Sequence, residues 1–348
     1  MFSCDRSNIY KIEGQLSGLD NTTLYFVYES SYENHIDTII CDEEGQFSTF
    51  REHIEDLQVI NIYYNDRKHW FSVFPETGSP VKVKGEADYP LMIDVKGGRT
   101  NNKLSEFKKK AAPLLKEMAD ISDDSRVSIL SKGESIMQLA NTNIELRRTI
   151  QDFINKYPKE EASAILIYSY YTDPEIMLQA EELLNILTPE LDEFFVVKKL
   201  KTLISKARTT MVGAEAPDFR VVNTYGQTLT PDHFANKYYI LAFTALWCDM
   251  CQTETIMLDQ MAAKYSKDSL EILFVSLDDE FDKVRDIIQK DSSKWNLVTD
   301  SAGQAIKLFE TYNVNSLPSC FLIDKDGKIK LRTNNSIELQ QVVEEVMK

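Results

Sequence analysis

The chain has 348 residues, of which 43% are hydrophobic and 27% are charged, enough to build two or three compact domains of ordinary size. It carries 39 basic and 55 acidic side chains, a formal net charge of −16, which disfavours general binding to nucleic acid or to an anionic membrane surface. No run of about 18 apolar residues is present, so the sequence predicts no transmembrane segment.

The first 98 residues predict a strand-rich domain. Short runs rich in aromatic and β-branched residues, such as Leu24–Tyr28 and Val59–Tyr64, are typical of strands. Asp42–Gly45 separates two such runs and predicts a hairpin turn. We therefore expect an antiparallel β-sandwich or open barrel over residues 1–98.

The next block, residues 99–208, changes to a helical pattern. Apolar residues now recur every three or four positions, as at Leu104, Phe107 and Ala111. Pro113 lies inside the first of these segments and is expected to kink or split it. The net charge is −8 over residues 1–100, −1 over 101–211 and −7 over 212–348, so this nearly neutral block of four or five predicted helices separates two acidic flanks.

Residues 212–348 alternate between strands and helices, which predicts a helix-covered α/β sheet. We expect a strand at 239–243, a helix from Cys248, a strand at 270–276 and a helix from about Phe281. A short strand at 296–299, a helix at 305–312, a hairpin over Asp326–Gly327 and a closing helix from Ile337 complete the pattern.

The chemistry is concentrated in the pair Cys248 and Cys251, which follows the apolar strand and opens an amphipathic helix. Free backbone N–H groups and the dipole at a helix N-terminus favour a thiolate, so we predict that Cys248 is the nucleophile. Cys251 lies one turn further along the same face and can attack a mixed disulfide formed by Cys248. The alternative is half of a zinc site or a pair of structural thiols, but no second ligand pair has a spacing that would complete a zinc site. We therefore expect a redox pair without metal or cofactor.

Several motifs of this region resemble those of thioredoxin-like proteins of the TlpA/ResA type in the AhpC/TSA superfamily. They are the opening 213–219, the Trp-Cys-x-x-Cys box 247–251, the segment 275–278, and the segments 314–318 and 321–327. The resemblance implies a thioredoxin-like fold for residues 212–348. It also implies a cis Leu317–Pro318 bond facing the cysteines, with Trp247, Leu317 and Pro318 on the substrate-binding face. The alternative for Pro318 is the start of an edge strand.

Glu254 lies three residues beyond Cys251, on the same helical face, where its carboxylate can accept the Cys251 proton. TlpA/ResA-like proteins resemble this chain in having an acidic residue there, while Ala242 stands where ordinary thioredoxins keep a buried Asp. The alternative is an exposed helix carboxylate. The family usually has Pro before the second cysteine, where this chain has Met250, so the redox potential of the family does not transfer. Cys320 is expected in the core, without a catalytic role.

The N-terminal region resembles the DUF4369-type domain that is fused to thioredoxin-like domains in Bacteroidetes proteins. The resemblance rests on the turn 42–47, the strand 81–85 and the helix entry 101–107. It implies no known chemistry, and spacing, docking or recognition is the expected role. Six strand aromatics either form a partner-binding face or belong to the core, namely Tyr25, Tyr28, Tyr63, Tyr64, Trp70 and Phe71.

These observations predict a thiol-disulfide oxidoreductase of the cell envelope or periplasm. We expect it to reduce a protein or small-molecule disulfide with electrons from an upstream thiol protein. One alternative is a thiol peroxidase, although the Pro-x-x-x-Thr-x-x-Cys pattern of such enzymes is absent before Cys248. Another is a binding protein with a vestigial cysteine pair. Cys4 follows Ser3, as in a lipoprotein signal, so it is either a lipidated membrane attachment site or a free thiol.

Overall fold

The computed structural model describes residues 9–52, 54–122, 132–173, 176–279, 295–300 and 302–348. Cys4 and the helix expected from Phe281 lie outside these residues. The chain forms two compact units, the first made of Met1–Thr172 and Gln179–Leu200, the second of Asp173–Leu178 and Lys201–Lys348. Among the described helices, none is both long enough and apolar enough to cross a bilayer.

The first unit contains two four-stranded sheets that share one apolar core. Their strands are β1 (Ile9–Ser17), β2 (Thr23–Ser30), β3 (Asn34–Ile40), β4 (Gln46–Glu52), β5 (Leu57–Tyr64), β6 (His69–Val73), β7 (Val81–Glu86) and β8 (Asp94–Lys96). The orders are β4-β1-β7-β8 and β3-β2-β5-β6. Buried residues of both sheets form a single cluster, so the predicted sandwich is confirmed. All pairings are antiparallel except β1 with β7, which run in the same direction.

The predicted hairpin at Asp42–Gly45 is wrong, although the turn itself forms. Asp42 Oδ1 accepts hydrogen bonds from the N–H groups of Glu44 and Gln46, at 2.9 and 2.8 Å. However, β3 before the turn pairs with β2, and β4 after it pairs with β1 in the other sheet. The turn therefore links the two layers of the sandwich, because local turn chemistry reverses the chain without choosing the partner strand.

Five helices follow, namely α1 (Arg99–Ser122), α2 (Lys132–Lys156), α3 (Glu161–Tyr170), α4 (Met177–Leu184) and α5 (Phe195–Arg208). α1 continues through Pro113, so the expected split does not occur. Pro113 is exposed, and water can satisfy the carbonyl that loses its N–H donor there. On the apolar stripe of the same helix, Phe107, Ala111 and Leu115 are fully buried and Leu104 is partly buried.

The second unit is built on a five-stranded sheet of order β13-β12-β11-β14-β15. After the short pair β9 (Val221–Val222) and β10 (Thr228–Leu229), its elements are β11 (Tyr238–Thr244), α6 (Asp249–Lys264), β12 (Leu270–Ser276), β13 (Asn296–Val298), α7 (Gln304–Thr311), β14 (Ser319–Ile323), β15 (Ile329–Thr333) and α8 (Ser336–Val346). β11, β12 and β13 are parallel, whereas β14 is antiparallel to both β11 and β15. The predicted alternation and the terminal hairpin are thus confirmed.

Both faces of this sheet are covered, which explains why its strands are continuously apolar. Leu241 and Phe243 point into one buried cluster, and Ile240 and Ala242 into the other. The second cluster contains Leu258 and Met261 of α6 and also Cys320 of β14. In the β11–β14 register Ala242 is opposite Cys320, so this cysteine lies on the sheet face that α6 covers.

Candidate active site

Cys248 and Cys251 form a disulfide at the beginning of α6, with their Cα atoms 5.3 Å apart. Cys248 is the N-cap residue, and its Sγ accepts a hydrogen bond from the backbone N–H of Cys251 at 3.2 Å. Cys248 and Cys251 are 7% and 2% exposed. The same N–H group and the positive end of the helix are available to a thiolate at Cys248 in the reduced protein.

The segment between β11 and Cys248 is held by the end of β12. The backbone N–H of Leu246 donates to Asp278 Oδ2 at 2.8 Å, and the Ser276 hydroxyl donates to the same oxygen at 2.7 Å. The N–H of Leu277 donates to the carbonyl of Thr244 at 3.2 Å. The role of Asp278 could not be predicted from the sequence, because a carboxylate at the end of a strand occurs in many structural contexts. In the structure it positions the approach to the cysteine pair.

Glu254 is a buried carboxylate, only 4% exposed, so the alternative of an exposed helix residue is wrong. Within the described part of the chain its Oε1 has no hydrogen-bond partner. Burial raises the pKa of Glu254 to about 7, because the charged form is desolvated, and contact with the Cys320 thiol opposes part of this rise. A carboxyl group one helical turn after Cys251 is therefore able to exchange a proton near neutral pH.

Cys320 lies in the core as predicted, completely buried on β14. Its thiol contacts the Glu254 carboxyl group, and burial together with this carboxylate raises the pKa of Cys320 well above its ordinary value. The thiol is thus neutral and acts as a weak donor to Glu254. Sequence analysis missed this contact, because only the β11–β14 register and the position of α6 bring the two residues together.

The Leu317–Pro318 bond is cis, as the resemblance implied. It immediately precedes β14, whose first residue, Ser319, is paired with Phe243 near the end of β11. The segment from Leu317 and the segment leading to Cys248 therefore leave the sheet at the same end. Pro318 is buried and Leu317 is partly buried. Because β14 lies between two other strands, the alternative that Pro318 opens an edge strand is wrong.

Two large apolar side chains beside the cysteines are exposed. Trp247 is 71% exposed and Met250 is 68% exposed. Exposed apolar side chains that flank a reactive group are typical of a surface that contacts another molecule. Trp247 was singled out from the sequence, whereas Met250 was noted only as a departure from the family pattern.

No group of three or more His, Cys, Asp or Glu side chains within the described ranges is arranged to hold a metal ion. His233 lies against Glu271 at 3.3 Å and His35 against Glu33 at 3.1 Å, so each of these histidines is close to a single carboxylate.

The sheet combines parallel and antiparallel strands in the order β13-β12-β11-β14-β15. A cysteine pair lies at the N-terminus of the helix that follows the central strand β11, and a cis proline precedes β14. Together these features define a thioredoxin-like redox domain. The AhpC/TSA family matches residues 212–332. Thiol-disulfide oxidoreductase ResA of Bacillus cereus is 33% identical over 125 residues, covering 36% of this chain and 70% of that protein. The chain belongs to the ResA-like thiol-disulfide oxidoreductases of the AhpC/TSA family.

Other similarities concern the same region or the first unit. A putative peroxiredoxin of Porphyra purpurea is 30% identical over 159 residues, covering 42% of this chain and 79% of that protein. The crystal structure of the thioredoxin domain of a Bacteroides vulgatus thiol-disulfide oxidoreductase is 25% identical, with a TM-score of 0.37, and covers 40% of this chain and 99% of that one. A domain of unknown function, DUF4369, matches residues 10–104.

Proposed function

We propose that this oxidoreductase reduces disulfides of protein substrates, with Cys248 as the nucleophile, Cys251 as the resolving thiol and Glu254 as the proton acceptor. The observation that carries the proposal is the combination of the helix-terminal cysteine pair with a buried carboxyl group one turn further along α6. Such an arrangement supplies both the attacking thiols and the base that thiol-disulfide exchange requires.

The reaction begins with the reduced pair. The Cys248 thiolate attacks one sulfur of the substrate disulfide, forms a mixed disulfide and releases the first substrate sulfur as a thiolate. Cys251 then loses its proton, attacks Cys248 Sγ and releases the second substrate sulfur. Two electrons pass to the substrate, and the protein is left with the Cys248–Cys251 disulfide present in this structure. Two electrons from an upstream thiol protein restore the dithiol.

Glu254 serves the second step. Its ionised form accepts the Cys251 proton as this thiol attacks, and its protonated form returns a proton when the pair is reduced again. A pKa of about 7, raised by burial, lets the group exist in both forms near neutral pH. An ordinary exposed glutamate would remain ionised there and would return the proton poorly.

The substrate contacts Trp247, Met250 and the Leu317–Pro318 segment. The first two side chains are exposed and apolar, which suits the apolar part of a polypeptide. In this proposal the Leu317 backbone, two residues before β14 begins at Ser319, pairs with an extended substrate segment. A small-molecule disulfide would use the same cysteines without needing this surface.

We place this activity in the cell envelope, because disulfides of protein substrates form and persist in oxidising compartments. Lipidation of Cys4, which would attach the chain to a membrane, belongs to the same proposal. Mass spectrometry of the N-terminus of protein isolated from its native host tests it, since an acylated Cys4 peptide supports attachment and an unmodified Cys4 thiol contradicts it.

Insulin reduction by the purified, reduced protein tests the enzymatic proposal. We expect Cys248→Ala to abolish turnover, because no nucleophile remains, and Cys251→Ala to accumulate a mixed disulfide with insulin. Cys41→Ala is the matched control, since Cys41 is a buried free thiol of the first unit and should not affect the rate. Full activity of Cys248→Ala would contradict the proposal.

A thiol peroxidase is the second candidate, and the similarity to a putative peroxiredoxin favours it. Against it, Ala245 and Leu241 occupy the positions of the Thr and Pro that such sites place before the peroxidatic cysteine. Rapid consumption of hydrogen peroxide that survives Cys251→Ala would support the peroxidase. Consumption that is slow or lost in this variant would support the disulfide reductase.

A further inference from the structure

The first unit contains a cavity of about 580 Å³ that is remote in sequence from the cysteine pair. Its floor is the outer face of the β3-β2-β5-β6 sheet, and its walls come from α1, α3 and α5. The strand alternation explains the floor, because Ile60, Ile62 and Tyr64 point into the sandwich core and Val59, Asn61 and Tyr63 point to the cavity. A volume of this order accommodates a small organic molecule.

The mouth of this cavity is apolar and aromatic. Trp70 is 53% exposed and Leu91 is 40% exposed, and the Trp70 ring lies 6.2 Å from the ring of Tyr63. Phe107 and Ile165 contribute to the apolar walls. Of the strand aromatics, Tyr63 and Trp70 line the cavity, whereas Tyr28, Tyr64 and Phe71 belong to the sandwich core cluster. An apolar ligand group fits this part of the cavity.

The charged lining of the cavity is predominantly basic, although the whole chain carries −16. Lys68, Lys108 and Lys199 line it, against a single carboxylate, Glu29. Glu29 is already engaged, because it accepts a hydrogen bond from Asn61 at 2.6 Å and lies 3.9 Å from the ammonium group of Lys199. The excess of positive charge is therefore available to a bound anion.

Lys108 is the most informative of these cations. Its ammonium group donates a hydrogen bond to the carbonyl of Ile93 at 2.8 Å, and burial lowers the pKa of Lys108 to about 8. The nearby carboxylate of Asp94 is shared with Ser105 and with Lys96. A half-buried ammonium group whose neighbouring carboxylate also serves Ser105 and Lys96 is incompletely neutralised, and an anionic ligand would add the missing counter-charge.

We propose that this cavity binds a small amphipathic carboxylate, with its apolar group between the sheet and the helices and its carboxylate on Lys108. The proposal concerns the first unit and does not depend on the function of the cysteines. It assigns a recognition role to a region whose family description states no function. Inorganic phosphate and sulfate share only the anionic part of this chemistry and lack the apolar group that the walls accommodate.

Calorimetric titration of the full chain with 4-phenylbutyrate, and with 4-phenylbutanol as the neutral analogue, tests the proposal. We expect the acid to bind saturably and more tightly than the alcohol. Lys108→Met should lower the affinity for the acid by about 10- to 100-fold, as expected for the loss of a hydrogen bond to a charged group. The affinity for the alcohol should not change. Lys109→Met is the matched control, since the neighbouring Lys109 is exposed, and it should bind both probes as the wild type does.

A pH series on the unmodified chain gives a second measurement that needs no variant. As the pH rises from 7 to 9.5, Lys108 loses its proton, so acid binding should weaken by about tenfold while alcohol binding stays constant. Asp94 acts directly on Lys108, and the other charged and titratable groups that line the cavity are Glu29, Tyr63, Lys68, His69, Tyr168, Tyr170 and Lys199. Absence of saturable binding, equal affinity for acid and alcohol, or equal effects of Lys108→Met and Lys109→Met would overturn the proposal.

Discussion

Glu254 is the residue at which folding and catalysis make opposite demands. Its carboxyl group is buried behind the cysteine pair, so the ionised form carries a charge that water does not solvate and that no cation among the described residues around it neutralises. Catalysis nevertheless requires the ionised form as a proton acceptor. The free energy that the protein gives up to ionise Glu254 is therefore part of the cost of a working site.

This cost should be visible as a pH dependence of stability. Because the pKa of Glu254 is raised to about 7 in the folded protein, its contribution is fully present below about pH 4.5 and is lost as the pH rises through 7. We expect the unfolding free energy of the wild type, relative to Glu254→Gln, to fall by about 3 kcal/mol between pH 4 and pH 8. Urea unfolding of the oxidised proteins measures this difference, and a difference independent of pH would contradict it.

Cys320 should adjust the proton affinity of Glu254. Its thiol is a weak donor to the carboxylate, so Cys320→Val should raise the pKa of Glu254 and Cys320→Ser, with a stronger donor, should lower it. Carbon NMR of the labelled Glu254 carboxyl group measures the shift directly. If both variants move the pKa in the same direction, the thiol acts by packing alone.

At the scale of single elements, the residues of a turn predict that the chain reverses direction, but they do not predict which strands pair. The Asp42–Gly45 turn was predicted from its residues and does form, yet it joins the two sheets instead of two neighbouring strands. Pro113 is a different case, because a split of the helix was predicted from this residue and the helix continues past it. In both cases the deciding factor is the environment of the element, which residue propensities do not contain.

Gly45 shows how tightly this turn is built. Its φ is +71°, and a Cβ there would collide with the carbonyl oxygen of Leu16. We expect Gly45→Ala to lower the unfolding free energy by about 2–4 kcal/mol, since strain and collision add. Gly78→Ala is the matched control, because Gly78 has a φ of +77° but open space around its Cβ position, and it should cost only about 1 kcal/mol. Equal losses in a chemical denaturation experiment would contradict this account.

At the scale of the whole molecule, buried apolar side chains among the described residues form three distinct clusters outside the helical block. One cluster fills the sandwich of the first unit, and two others lie on the two faces of the five-stranded sheet. As far as the structure describes the chain, the sandwich cluster shares no member with the other two. Such a division favours unfolding in more than one step.

Calorimetry should therefore resolve two thermal transitions. Ile62 and Leu273 are both 0% exposed and belong to different units. Ile62→Ala should lower the midpoint temperature of one transition and Leu273→Ala that of the other. Each substitution should reduce the unfolding free energy of its own unit by about 2–5 kcal/mol. A single transition that both variants shift equally would show that the units unfold together.

By itself, the sequence determined the class of the second unit and its reactive pair. Hydrophobic periodicity, the cysteines that open a helix and the motifs around Pro318 each involve residues close together in the chain, so they can be recognised from the sequence alone. Only the tertiary structure decided the surroundings of Glu254, the contact with Cys320 and the basic cavity of the first unit. Each of these depends on residues far apart in the chain, brought together by strand register and helix packing, and it is this proximity that sets burial, proton affinity and the excess of positive charge.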